Sequence, residues 1–238
     1  MRISAPRGKF FIKKGDAWLV DVKRVPSTID DWPMTLVFPH VTRVIRALWS
    51  GEVSQASLQK LKTSPFREKL IDGVLEGHSA IFLYLKGGDE KKNLENESVI
   101  KNGIQVLEKK FELPNNVISR VSSATPDDPS NRLLTDVPFG LKFDYQSMSM
   151  EGGDEVLRSI LRNLEPGYPD DEPMAFAIFG RGRVLGPITG RDFQQEVILQ
   201  IGGYLCGRCS CQVKAQNPGV DILLNIDWHK TLFPRKYR

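Results

Sequence analysis

Two short apolar runs limit what this chain can fold into. Ser79–Lys86 (SAIFLYLK) and Met174–Phe179 (MAFAIF) are rich in aromatic and β-branched residues and are bounded by turn signals. Each reads as a buried strand. Helical patterns alternate with them. Gly87-Gly88-Asp89 ends the first strand, and Asn96–Phe111 then reads as a helix. Val99, Ile100, Gly103, Val106, Leu107 and Lys110 fall at three-to-four spacing, Val106, Leu107 and Phe111 continue the apolar face, and Pro114 stops it. The polar stretch Ser122–Asp136 reads as a surface loop, and Gly140–Met150 as the next strand. Asp154 caps a helix that carries Val156, Leu157, Ile160, Leu161 and Leu164 on one face. After a turn at Gly167–Glu172 comes the second apolar strand. Gly180-Arg181-Gly182 then turns the chain into Arg183–Ile188, an antiparallel partner. Asp192 caps a last amphipathic helix that reaches to about Leu205. The expected order is β-α-β-α-β-β-α.

That order, a parallel core closed by an antiparallel hairpin, resembles the thioredoxin topology over residues 77–205. The expected fold class is therefore α/β and thioredoxin-like. Pro173 precedes Met174, where thioredoxin-like proteins keep a cis-proline ahead of the third strand. In active members a C-x-x-C pair opens the first helix, whose N-terminus lowers the thiol pKa. The corresponding place is Gly87-Gly88-Asp89-Glu90-Lys91-Lys92-Asn93, which holds no cysteine, serine or threonine. The resemblance therefore implies the frame without its redox chemistry. Gly87 and Gly88, with Lys91 and Lys92, have the makings of an anion site, but Asp89 and Glu90 oppose it. A plain turn is the simpler reading.

The first part of the chain echoes the second. Trp32-Pro33-Met34-Thr35-Leu36-Val37-Phe38 parallels Glu172-Pro173-Met174-Ala175-Phe176-Ala177-Ile178. Arg43–Leu48, ending at Ser50-Gly51, parallels Arg183–Ile188, ending at Thr189-Gly190. A helix carrying Leu58 and Leu61 follows the first, and one carrying Phe193, Val197 and Ile198 follows the second. This suggests an internal repeat; chance likeness between short apolar strands is the competing account. Residues 1–31 offer Lys9–Ile12 and Ala17–Val22 as strands, too little for a first βα unit, so the earlier copy reads as partial. The expected organisation is a partial repeat over 1–76, a thioredoxin-like domain over 77–205, and a cysteine-bearing extension over 206–238. Pro33 and Pro173 are its structural markers. Ser64-Pro65-Phe66-Arg67-Glu68-Lys69-Leu70, Gly77-His78-Ser79-Ala80, Gly180–Leu185, Cys209–Lys214 and Asn217–Asp221 together resemble an uncharacterised bacterial family of tandem, often exported, thioredoxin-like proteins. That resemblance implies an extracytoplasmic location and supplies no reaction.

All three cysteines fall in Cys206-Gly-Arg-Cys209-Ser-Cys211, so they do not form a dispersed disulfide framework. Three readings stay open. Cys206 and Cys209 have disulfide spacing, but a helix C-terminus disfavours a thiolate. The three thiolates with His229 have the donor set of a Cys₃His zinc site, without a second closely spaced ligand pair. The third reading is structural thiols. His40 and His78 are isolated. Arg181 and Arg183 flank a hairpin turn, where they either keep it soluble or meet an acidic partner. Val220–Trp228 is an apolar segment expected to pack back on the domain, and the basic end, His229–Arg238, reads as a solvated tail.

The net charge of +4 comes from interspersed signs, which argues against a nucleic-acid footprint. No apolar run approaches the about 18 residues of a membrane span, and Met1-Arg2-Ile3-Ser4 is not followed by an apolar h-region, so no signal peptide is visible, which does not exclude secretion. No nucleotide-binding or hydrolase motif occurs, and no cofactor is expected beyond the zinc reading. Two functions compete: a non-catalytic binding or scaffold module with an unknown protein partner, and a thiol–disulfide or metal-thiolate protein using Cys206, Cys209 and Cys211.

Overall fold

The computed structural model describes residues 3–4, 11–14, 17–20, 33–36, 49–52, 55–111, 137, 140–206, 216 and 218–233. Up to residue 55, and at residues 57 and 58, it describes the backbone alone. The chain divides into two compact units, Met1–Arg67 with Asp154–Tyr168, and Glu68–Gly153 with Pro169–Arg238.

In the first unit, β1 (Ile3–Ser4), β2 (Phe11–Lys14) and β3 (Ala17–Val20) form an antiparallel sheet. Strand β2 runs on through Lys13 and Lys14, past the Ile12 end expected from the sequence, with Lys14 opposite Ala17. A hairpin joins β4 (Pro33–Leu36) and β5 (Trp49–Glu52), with Pro33 opposite Glu52 and Leu36 opposite Trp49. The partner strand thus contains Ser50-Gly51, which the sequence reading took as its end; Arg43–Leu48 lies outside the described residues. Helix α1 (Gln55–Lys62) follows, then α2 (Pro65–Leu75), which starts in this unit and from Glu68 belongs to the second. Ser64 caps α2, its Oγ accepting from the Arg67 N–H at 3.1 Å, and Pro65 takes the first helical position. Helix α4 (Glu155–Arg162) also belongs to this unit. As expected, Asp154 caps it, its Oδ1 accepting from Leu157 N–H at 2.9 Å, and Val156, Leu157, Ile160 and Leu161 are buried.

The second unit holds a mixed five-stranded sheet. Its strands are β6 (Ala80–Leu85), β7 (Phe143–Met148), β8 (Met174–Phe179), β9 (Arg183–Thr189) and β10 (Val220–Asp221), in spatial order β10-β9-β8-β6-β7. β6 and β7 are parallel; every other pair is antiparallel. Every residue of β6 is buried, which is why its sequence is a continuous apolar run and not an alternating one. Between β6 and β7 lies α3 (Glu90–Lys110), and after β9 a short 3₁₀ turn (Gly190–Asp192) leads into α5 (Gln195–Cys206). Ile100, Ile104 and Leu107 of α3 and Ile198 of α5 cluster with Ala80, Phe82, Tyr84, Ala175 and Ala177 of the sheet. The apolar stretch after Gly219 does return to the sheet: Val220 pairs with Val184, and Ile222 N–H donates to Gly182 O at 3.0 Å. Arg183 holds that return, donating to Pro218 O, Gly219 O and Asp221 Oδ1 at 2.7, 2.7 and 2.9 Å. Helix α6 (Trp228–Leu232) follows it.

Three expectations change. Helix α3 starts at Glu90 instead of Asn96, because Asp89 caps it. Asp192 ends the 3₁₀ turn and does not cap the last helix. The cis X–Pro bond among the described residues is Gly186–Pro187, inside β9, and the bond before Pro173 is not cis.

Helices α3 and α5 meet at Gly103. A Cβ there would lie 2.6 Å from Ile198 Cγ2 and 2.8 Å from Ile198 Cβ, a β-branched side chain with little room to yield. Gly103→Val is expected to destabilise the chain by about 1–3 kcal/mol through overpacking. Urea unfolding checks this; an unchanged midpoint would refute the close crossing.

Candidate functional site

The place that the resemblance assigns to chemistry lies between β6 and α3. Gly87 N–H donates to Asn93 Oδ1 at 2.9 Å, and Asn93 Nδ2 returns a bond to Gly87 O at 2.9 Å. Gly88 N–H donates to Asp171 O at 2.7 Å. Asp89 accepts from Lys92 N–H at 3.2 Å. The N–H groups of Gly87, Gly88 and Lys92 are thus engaged within the chain, which favours a plain turn over an anion site. Gly87 is also hemmed in: a Cβ there would lie 2.4 Å from Asp171 O and 2.8 Å from Pro173 Cδ. Pro173 is buried, and it closes over the turn. Lys92 Nζ lies 2.5 Å from Glu172 Oε2, a further tie to the same segment.

Asn93, only 1% exposed, holds this arrangement together. Its Oδ1 also accepts from Tyr84 Oη at 3.0 Å, and its Nδ2 lies 3.3 Å from Glu90 Oε2. Both lone-pair directions and both N–H groups of the amide are used. Asn96 Nδ2 donates to Tyr84 Oη at 3.4 Å, and the Tyr84 ring meets Phe193 edge-on at 5.8 Å. The group supports a buried turn, and Asn93, Asn96 and Tyr84 bond to one another and to the turn.

Beside it, charges are paired. Lys86 Nζ lies 3.3 Å from Glu97 and 3.6 Å from Glu90, and Lys101 Nζ lies 3.1 Å from Glu97. Burial alone would raise the Glu97 carboxyl pKa, but hydrogen bonds from Lys101 and Lys86 hold it below its ordinary value. The hydrogen bond to Glu97 in turn raises Lys86. Lys101 sits 4.6 Å from the Tyr145 ring centre, and burial, followed by the Glu97 charge, pushes the Tyr145 hydroxyl well up.

Of the cysteine cluster, Cys206 is described. It is a free thiol, partly buried, at the end of α5 and packed against the core of the second unit. Burial pushes its pKa up, and a hydrogen bond with Ser79 only partly offsets this. Such a thiol is a poor nucleophile at neutral pH. Iodoacetamide is expected to alkylate Cys206 more slowly in the native chain than in urea; equal rates by mass spectrometry would refute its burial. Cys209 and Cys211 lie outside the described residues. His229 is exposed on α6, its ring 6.0 Å from Phe233. Among the described residues no group of three His, Cys, Asp or Glu side chains is placed to hold a metal. His78 Nδ1 donates to Gly73 O at 2.8 Å, and His40 lies outside the described residues. Arg181 stacks over Phe233 at 5.9 Å. Among the described residues, no helix is long and apolar enough to cross a membrane.

Sequence reasoning missed Asn93 as a keystone. The signal was a lone amide four residues after Asp89 and three before Asn96, the spacing of one helical face. Set against known proteins, the chain matches no family model, no curated protein and no solved structure.

Proposed function

We propose that residues 77–205 are a thioredoxin-like frame without redox chemistry, used as a binding or scaffold module for a protein partner. The observation that carries the proposal is the closed start of α3. Asn93 and Asp171 take up the N–H groups of Gly87 and Gly88, Pro173 packs over Gly87, and no thiol or hydroxyl stands in the turn. A helix start built for chemistry keeps its N–H groups and a nucleophile open to substrate. The spatial order of β6 to β9, with β7 parallel to β6 and both hairpin strands antiparallel, supports the thioredoxin-like reading. The partial repeat and the kinship with exported bacterial proteins belong to the same proposal. They rest on the quoted sequence blocks.

The test is reduction of insulin disulfides by dithiothreitol, with the full chain and with a variant in which Cys206, Cys209 and Cys211 are all serine. Neither protein is expected to accelerate the reaction. Acceleration kept by the triple variant would contradict the proposal outright. Acceleration lost in the variant would move the function to the cysteine cluster.

A further inference from the structure

Helix α4 carries two arginines one turn apart, Arg158 and Arg162, at the spacing where side chains of a helix are neighbours. Two like charges there repel, and Arg158 feels this. Burial first, and the Arg162 charge second, push its guanidinium pKa down. An arginine does not release its proton in response, so the charge stays.

The carboxylates nearest in sequence are committed elsewhere. Asp154 accepts from Ser64 Oγ and Arg67 Nε, both at 2.5 Å. Glu155 pairs with Lys60 at 3.0 Å. The Nη2 atom of Arg158 is buried without a hydrogen-bond partner, while the side chain as a whole keeps some exposure. An ionised donor covered from water and left unpaired is costly, and native proteins rarely keep one without use. A helix C-terminus rewards a cation in its last turn, which accounts for Arg162. It does not account for Arg158 in the middle of the helix.

We propose that Arg158 and Arg162 form a binding site for a divalent tetrahedral oxyanion, a phosphate group. A guanidinium carries parallel N–H pairs of the kind that match phosphate oxygens, and two positive charges one helical turn apart match a dianion. Arg162 keeps contacts of its own and adds charge and a second fork. The site is independent of the turn between β6 and α3, and it stands whether or not that turn is a binding module.

The experiment follows thermal unfolding of the full chain near neutral pH in increasing inorganic phosphate, at ionic strength held constant with sodium chloride. Phosphorus-31 line broadening reads binding directly. Binding to the folded state is expected to raise the midpoint in a saturable way and to broaden the phosphate line. Arg158→Met is expected to abolish both effects, and Arg158→Lys, which keeps the charge and loses the fork, to weaken binding about tenfold. Arg191→Met, at an exposed arginine of the other unit, is expected to leave both unchanged. No phosphate-dependent change in the wild type would overturn the proposal. So would an equal change in Arg158→Met, which would be the general salting effect of phosphate. An equal response to acetate would overturn the assignment to a dianion. Should Arg158→Met fail to fold, the Arg158→Lys titration decides alone: wild-type affinity there overturns the site.

Discussion

Arg67→Met is expected to destabilise the unit that contains it by about 3–5 kcal/mol, the usual cost of removing one partner from a buried ion pair. Arg67 and Asp154 are 1% and 2% exposed at the side chain, and the guanidinium Nε donates to Asp154 Oδ2 at 2.5 Å. The remaining donors of the fork are also engaged. Nη1 donates to Leu61 O at 2.8 Å, and Nη2 donates to Lys60 O. One arginine thus ties the end of α1 and the start of α2 to the cap of α4. Methionine fills much of the same volume but leaves the Asp154 carboxylate buried beside only Ser64 Oγ and the Leu157 N–H. Two companion variants separate charge from shape. Asp154→Asn keeps an acceptor for Leu157 N–H, and the guanidinium keeps its two carbonyls, so the loss is expected to be smaller. Arg67→Met with Asp154→Leu removes both charges and is expected to recover part of the loss, short of the cap that Asp154 supplies. Hydrogen exchange read at the amides of α4 measures the effect in this unit by itself. Unchanged protection in Arg67→Met would mean the pair contributes nothing to stability.

The sequence made some of this visible and hid the rest, for physical reasons. Strands β6 and β8 were legible because burial on both faces demands an unbroken apolar run, and turn residues bound it. Helix α4 was legible because an aspartate cap precedes a clean apolar stripe. The first turns of α3 were not. Its buried face is Asn93, Asn96, Ile100, Gly103, Ile104 and Leu107, at faithful helical spacing, but its first two members are amides. Leu94, the apolar residue in that stretch, is 60% exposed and points the pattern the wrong way. The missing thiol in the turn could be read directly. Its closure by Asp171 and Pro173 could not, because those contacts join segments some eighty positions apart. The same holds for Arg67 and Asp154. The sequence suggested the aspartate as a cap, and nothing local suggested that an arginine 87 residues away shares it. Strand β5 was misplaced because Ser50-Gly51 looks like a turn, and pairing with β4 overrides that local preference.

Asn93→Ala is expected to cost about 3–5 kcal/mol, because it removes partners from several buried groups at about 1–3 kcal/mol each. Gly87 N–H, Gly87 O and Tyr84 Oη all bond to this one amide. Alanine is small and a strong helix former, so neither a clash nor poor propensity would confuse the result. Tyr84→Phe is the control. It removes one hydroxyl while keeping the ring against Phe193, and it leaves the Gly87 bonds in place, so the expected loss is about 1 kcal/mol. The double variant should cost less than the sum of the two, since the Tyr84–Asn93 bond is counted in both. Asn93→Asp sharpens the argument. Its carboxylate still accepts from Gly87 N–H and Tyr84 Oη but has no N–H to return to Gly87 O. Burial favours the protonated acid, so the folded-state pKa lies above the unfolded one, and the variant should gain stability relative to wild type as pH falls through that value. Urea midpoints across pH for the four variants and the wild type measure all of this. If Asn93→Ala unfolds with the wild type, the turn is not held from beneath, the start of α3 is free to open, and the case for a module without chemistry loses its main support. If the loss is as large as expected, the turn between β6 and α3 is spent on a polar network that faces inward.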